Sequence, residues 1–381
     1  MCRQSATVCL TKSPTAAQRA EGGIVGRLAA LPDPRDRRGR RHSLVSVLLT
    51  PACAVLAGAR SYLAIGQWAK NAPQDTLARL GVRAVGAFGV RRAPSTGTIR
   101  RVLAAVCPGG LADLLGCDPA DTSSLAVDGK SARGSRTESV KAAHLLSAVT
   151  ADGRIVSQLR VPDKTTEVTA LAPLLAPFDL RGVVVTADAL HTTAAHARFL
   201  VDEKQAHYLL VVKANQPALF ATLRALPWQQ ATARFYERGS GHGRQETRSV
   251  RAPTVTDLGL GFPHLVQAAR IHRWCRDIKT GKVSRQTIYA ITSMTTRDAS
   301  PQRIGQLARR SGFSRPCHVR DVTFAEDASK IRTGHGPENM ATLRNLAINT
   351  LRDAGHRSIA AGLREVSYAA FTRPLELFGL A

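Results

Sequence analysis

Acidic side chains are scarce in this sequence. Among its 381 residues, Asp and Glu number 28 against 53 Lys and Arg, a formal net charge of +25. Such an excess serves either as a solubility charge or to meet a polyanion, since each phosphate neutralised by Lys or Arg releases a condensed counterion. Cysteine is sparse too. Cys2, Cys9, Cys53, Cys107, Cys117, Cys275 and Cys317 make an odd number, and no C-x-x-C pair occurs. That argues against a disulfide framework and against a thiolate zinc site, and it fits a reducing cytosol. Long apolar runs are missing as well. The most apolar stretch, "LVSVLLTPACAVLAGA" (44–59), is too short for a bilayer and contains Pro51, so it predicts a buried helix starting near Pro51. The opening "MCRQSATVCLTKS" has no signal-peptide apolar core. The expectation is a cytoplasmic protein with no membrane partner.

Hydrophobic residues make up 44% of the chain, enough for a real core. Residues 1–22 show little periodicity and read as a disordered tail. The turn-rich segment "LPDPRDRRGRRHS" (31–43) carries Arg35, Arg37, Arg38, Arg40 and Arg41, either as a solvated loop or as a phosphate clamp. From 44 to about 115 the pattern is helical. Within it, "APSTGTIRRVLAAV" (93–106) offers Ser95 as an N-cap ahead of Arg100 and Arg101. Such a helix either enters a DNA groove or simply packs.

After "GCDPADTSS" (116–124) the pattern turns to strands: 124–128, "HLLSAVT" (144–150) and "RIVSQLRV" (154–161), the last two joined by the tight-turn signal "ADG". An amphipathic helix (165–178) follows, with Val168, Leu171, Leu175 and Phe178 on one face and a bend at Pro173. The run "GVVVTADAL" (182–190) predicts a strand buried on both faces. A helix over 192–204 and a further buried strand, "HYLLVVKANQP" (207–217), come next. This order predicts an antiparallel meander feeding a parallel α/β half. Residues 218–295 are rich in short strands. In "ENMATLRNLAINTLRD" (338–353), Met340, Leu343, Ala347 and Leu351 face inward, which leaves Arg344 for DNA.

Two of these strands end on a carboxylate. In "SSLAVDGKSARGS" (123–135) it is Asp128, followed by Gly129 and Lys130; in "VVVTADALHTT" it is Asp188. Adjacent strands lie about 4.8 Å apart. If these two are neighbours, their aspartates meet at one sheet edge, where they repel unless a cation lies between them. Magnesium takes oxygen ligands, and a two-ion site activates a hydroxyl and stabilises a leaving oxygen in phosphoryl transfer. The alternative is two unrelated strand-end turns, because Asp commonly starts turns. Lys213 and Asn215 sit at the same edge, to contact phosphate or simply to end a strand.

The chain resembles insertion-sequence transposases of the ISAs-one group, the H-repeat-associated proteins. The stretches that carry the likeness are "LPDPRDRRGRRHSLVSVL", "AVDGKSARGS", "VPDKTTEVTALAPLL", "VVVTADALHTT", "YLLVVKANQPAL", "GHGRQETRSV" and "DVTFAEDASKIRTGHGPENMATLRNLAINTLR". They run in order from about residue 28 to the C-terminus. The resemblance implies a ribonuclease H-like mixed α/β sheet at 120–381, with a β-rich insertion at about 218–295. It makes the helical region 23–115 a DNA-binding accessory domain. It implies Asp128 and Asp188 as the first two of three catalytic acids, holding Mg²⁺ (or Mn²⁺). The partners implied are double-stranded DNA at element ends and target, bound by a homodimer in the bacterial cytosol and nucleoid. Candidate DNA contacts are Arg37, Arg38, Arg40, Arg41, Arg100, Arg101, Lys130, Lys213, Asn215, Arg244 and Arg344. By likeness to related IS-four-type insertions, Trp274 and Tyr289 are either base-stacking residues or core.

The third acid is the exception. In the resembled family a helix ahead of the "RDVTF" block carries a glutamate, but "LARRSGFSRPCHVRDVTFAED" (307–327) places Ser314 there and Pro316 where the helix should continue. A neutral hydroxyl does not replace a carboxylate on Mg²⁺. Glu326 and Asp321 are the nearest acids, about two to three helical turns beyond if the helix ran on, and Glu326 is the substitute ligand. Two readings follow: an active DNA strand-transferring enzyme, or a remnant that binds DNA without the chemistry. A glycosidase with paired carboxylates fits the acids but not the charge.

Overall fold

The computed structural model describes residues 14–120, 122–163, 165–241, 243–311 and 315–380. The first helices are α1 (Ala16–Ala20), α2 (Ile24–Ala29), α3 (Leu44–Leu56), α4 (Tyr62–Asn71) and α5 (Gln74–Arg79). A small hairpin, β1 (Ala84–Val85) and β2 (Val90–Arg91), precedes α6 (Thr96–Ala105) and α7 (Pro108–Leu115). Then come β3 (Ser124–Ala132), β4 (Ala143–Thr150), β5 (Ile155–Val161), α8 (Glu167–Leu175), β6 (Val184–Ala187), α9 (Ala194–Arg198), β7 (His207–Val212) and α10 (Pro217–Ala225). Four strands follow: β8 (Arg234–Gly241), β9 (Arg244–Arg251), β10 (Gln267–Asp277) and β11 (Val283–Thr292). The C-terminal helices are α11 (Pro301–Ser311), α12 (Arg315–Phe324), α13 (Gly336–Asp353), α14 (Ile359–Tyr368) and α15 (Arg373–Leu377). The class is mixed α/β, as expected.

Local chemistry explains several boundaries and corrects some expectations. Helix α3 begins at Leu44, not near Pro51, because the Ser43 hydroxyl accepts the Ser46 N–H at 3.1 Å and caps the first turn. Pro51 is accommodated inside the buried helix. Of the expected tail, residues 15–20 are a capped helix: Thr15 and Gln18 form a reciprocal capping box, and Arg19 donates to the Pro177 carbonyl at 2.6 Å. The Gly153 turn (φ +88°) closes the β4–β5 hairpin where "ADG" predicts it. Cys53, Cys117 and Cys275 are free thiols, whereas Cys107 is disulfide-bonded, a departure from a wholly reduced set.

The chain forms two compact units, each discontinuous in sequence. The first takes the described residues of Met1–Asp118, Gly129–Phe178 and Arg315–Ala381; the second takes those of Pro119–Asp128 and Asp179–Ser314. The first unit's core joins Leu48, Val55, Ile65, Leu103 and Leu111 with Met340, Leu343, Ile348 and Leu351. The helical region 23–115 therefore shares its apolar core with the C-terminal helices, and the first unit's leading segment ends at Asp118. Helix α13 packs on α3, α6, α7 and β5. Glu338, Asn339, Asn345 and Asn349 are buried with its apolar side chains, as is Arg344, which is 2% exposed. The expectation of a free Arg344 fails because this helix has no solvent face there.

In the second unit the strand order is β3-β6-β7-β11-β10-β9-β8. The first three are parallel, and the last four continue antiparallel from β7. The β-rich segment thus extends the sheet itself. Its core gathers Val184, Leu209, Val250, Ile271, Ile304 and Leu307, with α11 laid against β8 and β9.

Candidate active site

Strands β3 and β6 are parallel neighbours, in the register Ser124↔Val184 through Val127↔Ala187. Asp128 and Asp188 each follow the last paired residue, so the ladder brings both to one edge, at carboxyl ends where α/β sheets bind ligands. The sequence expectation of adjacent strands holds. One detail differs: β3 does not stop at Asp128 but continues to Ala132. The Asp188 side chain also caps a one-turn 3-10 helix (Ala189–His191), accepting the Leu190 N–H at 3.0 Å.

Asp128 and Asp188 line one cavity of about 320 Å³. Among the described residues, no other acid lines it. Lys213, beyond the end of β7, borders it, as do Arg248 from β9, Arg273 from β10 and Arg309 from α11. Behind these cations, Arg273 donates to the Glu246 carboxylate at 2.9 Å and Arg248 pairs with it too. Burial raises the Glu246 carboxyl, but the hydrogen bonds from Arg273 and Arg248 outweigh it and hold the group below the usual carboxylate range. The wall between is apolar, with Leu209, Ile271 and Ile288. Two carboxylates in a cation-rimmed pocket are a hard-oxygen donor set, suited to a divalent ion that shares phosphate oxygens with a substrate. Among the described residues, no group of three His, Cys, Asp or Glu side chains is arranged to hold a metal.

Sequence reasoning missed Arg273 and Arg309 and passed over Arg248. The signal for Arg273 was parity: Ile271 and Arg273 alternate onto one face of β10, which becomes readable only once the register is known. Asn215 reaches back to donate to the Ala189 carbonyl, bracing the turn after Asp188.

Other candidates lie elsewhere. Arg37, Arg38 and Arg41 are exposed. Arg40 is exposed but pairs with Asp33 at 3.5 Å, which also binds Arg35 at 2.7 Å, so this loop is stapled internally. Arg100 and Arg101 are exposed on α6. Arg244 borders a second cavity of about 520 Å³ with Arg273, Lys282 and Arg285. Tyr289 packs edge-on to Phe220, with ring centroids 5.6 Å apart, and lies 5.9 Å from Trp228, an arrangement of packed rings. His242 and the third-acid position Ser314, with Gly312 and Phe313, lie outside the described residues.

Lys130 does not stand open to solvent. Its ammonium pairs with Asp321, with Asp327 at 3.3 Å and with Glu326 at 3.6 Å. Glu326 is buried in the first unit, with Arg344 at 2.9 Å and Arg320 at 3.1 Å. Arg320 also donates to Gln158 and Asn345, both at 3.1 Å. The Glu326 carboxylate is therefore engaged by three cations of its own unit.

Residues 119–312 match the family model described as the transposase DDE domain, and residues 25–117 match the domain described as DDE_Tnp_1-associated. A similar chain is the "Putative transposase YncI" of Escherichia coli O157:H7, 28% identical over 360 residues, 88% of each chain. The "H repeat-associated putative transposase YhhI" of Escherichia coli strain K12 is 25% identical across 90% of this chain and 93% of its own. An "Uncharacterized protein in dhlA 3'region" of Xanthobacter autotrophicus is 33% identical over 236 residues, 58% of this chain and 77% of that one.

Proposed function

The chain belongs to the DDE-domain transposase family, and from that premise we propose that it binds the ends of its own insertion sequence and catalyses metal-dependent DNA cleavage and strand transfer. The observation that carries this reading is the pair Asp128 and Asp188, set at adjacent parallel strand ends in one cation-rimmed cavity. In this reading the mixed sheet is a ribonuclease H-like core, and the helices before residue 115 contribute to DNA binding. The cofactor is Mg²⁺, with Mn²⁺ as a substitute, and the active species on DNA is a dimer.

Asp128 and Asp188 would hold the divalent ion. When bound, such an ion polarises a phosphoryl oxygen and lowers the pKa of an attacking hydroxyl. The protein's own residues do the rest. The β3–β6 ladder fixes the spacing of the two carboxylates. Lys213, Arg248, Arg273 and Arg309 draw in the phosphodiester and offset its charge. The apolar wall formed by Leu209, Ile271 and Ile288 limits water around the reacting group.

The test is cleavage of labelled element-end DNA by Asp128→Asn and Asp188→Asn. Each change keeps size and polarity and removes one charge. Expected are loss of metal-dependent nicking and retained binding of end DNA. Nicking that survives in Asp128→Asn overturns the site.

A second reading, a remnant that binds DNA without cutting it, is favoured by a separate observation. Ser314 stands where the family glutamate is expected, and Glu326, the nearest substitute, has its carboxylate held by Arg320, Arg344 and Lys130. Rebuilding residues 309–319 to the family pattern separates the two. A large gain in transposition supports the remnant; equal transposition by the rebuilt and original chains overturns it.

A further inference from the structure

From Thr76 to Ala112 the chain carries no Asp or Glu, yet Arg79, Arg83, Arg91, Arg92, Arg100 and Arg101 all fall there. Out of this stretch projects the β1–β2 hairpin, paired Ala84↔Arg91 and Val85↔Val90. Gly86 and Gly89, at φ +75° and +62°, make its tight tip. Between them Phe88 is 95% exposed, above Val85 and Val90, themselves about half exposed.

The hairpin is anchored at its base. The Gln74 side chain accepts the Arg91 N–H at 2.7 Å and donates to the Arg91 carbonyl at 3.1 Å. The Arg91 guanidinium donates to the Val82 carbonyl. A fixed stalk thus presents one aromatic ring, with Arg83 and Arg92 exposed beside it. An apolar tip this small, on a stalk with basic and no acidic side chains, complements a polyanion that has apolar surfaces between its charges. Base-pair steps of duplex DNA are such surfaces, and apolar wedges are known to enter them and unstack the bases. A protein partner of matching charge would have to bring an acidic rim around a single ring pocket.

We propose that the β1–β2 hairpin is a DNA wedge: Phe88 inserts at a deformable base-pair step while Arg83 and Arg92 hold the flanking phosphates. This rests on reading the chain as a DNA-acting protein and adds a second contact region, separate from the aspartate cavity, that distorts the duplex. The full chain is mixed with duplexes tiled across both borders of its own element, with 2-aminopurine placed at successive pyrimidine–purine steps, which kink most readily. Wild type is expected to raise the fluorescence at one such step. Phe88→Ala is expected to abolish that rise and weaken binding by about ten- to a hundredfold, the range that loss of one stacked contact gives. Its melting temperature should be unchanged, because the ring is almost wholly exposed. Phe88→Leu keeps an apolar wedge and should retain most of the signal. If wild type binds the duplexes and Phe88→Ala matches it in fluorescence and affinity, the wedge is overturned and the DNA reading stands. A wild-type chain that binds no duplex overturns both. A Phe88→Ala variant that changes only its oligomeric state makes the hairpin a protein contact and overturns the wedge.

Discussion

Surroundings separate the aspartate pair from Glu326. Asp128 and Asp188 line an open cavity, whereas Glu326 is sealed inside the first unit against Arg320 and Arg344. Burial alone would raise the Glu326 carboxyl, but Arg320, Arg344 and Lys130 outweigh it and hold the group below the usual carboxylate range. The charged form therefore stabilises the fold at every pH above the ordinary carboxylate value. That contribution falls away as the pH drops from there through the lower folded-state value. Glu326→Gln removes the charge that Arg320 and Arg344 share, and a loss of about 3–5 kcal/mol is expected at neutral pH. Urea unfolding measures it, and the gap from wild type should narrow in acid. Equal stability of the two at neutral pH would show that the network contributes little.

At the scale of elements, the "SARGS" segment after Asp128 is shaped by close backbone approach. A Cβ on Gly134 would lie 2.2 Å from the Ser329 carbonyl oxygen and 2.6 Å from that of Asp327. Both are backbone atoms, so the space cannot be made by turning a side chain. Gly134→Ala is expected to cost about 1–3 kcal/mol, as overpacking does. Gly39→Ala is the control: nothing lies within 4 Å of its Cβ position, and its effect should stay within about 0.5 kcal/mol. Denaturant midpoints compare the two directly, and similar midpoints would refute the crowding argument. In the second unit, the β3–β6 register decides whether the two aspartates meet. A slip of one residue would offset Asp128 from Asp188 by about 3.3 Å along the strands.

Over the whole molecule, a net charge of +25 predicts that the proposed DNA affinity depends on salt. The logarithm of the binding constant should fall linearly with the logarithm of salt concentration, by about 0.9 per phosphate contacted. Replacing Arg37, Arg38 and Arg41 together by Ala should lower that slope by up to about 0.9 for each phosphate contact removed. Anisotropy titrations across a salt series check this. An unchanged slope would assign the loop arginines to solvation.

Period and punctuation carried much of this in the sequence alone. The runs at 124–128 and 183–188, each closing on an aspartate, specified two strands and the end of the second, because apolar runs and polar stops are local signals; β3 itself runs on to Ala132. The family blocks around them named the chemistry. Tertiary structure decided the rest. It set β3 beside β6, which no local pattern encodes. It carried Arg248, Arg273 and Arg309 to the aspartates from three elements far along the chain. It also reversed the reading of Arg344. On a helical wheel this residue lies away from the apolar stripe, but α13 is packed on every side, and the partner that neutralises Arg344, Glu326, comes from outside the helix. A charge's environment depends on what folds over it, and that is a property of contacts between distant segments.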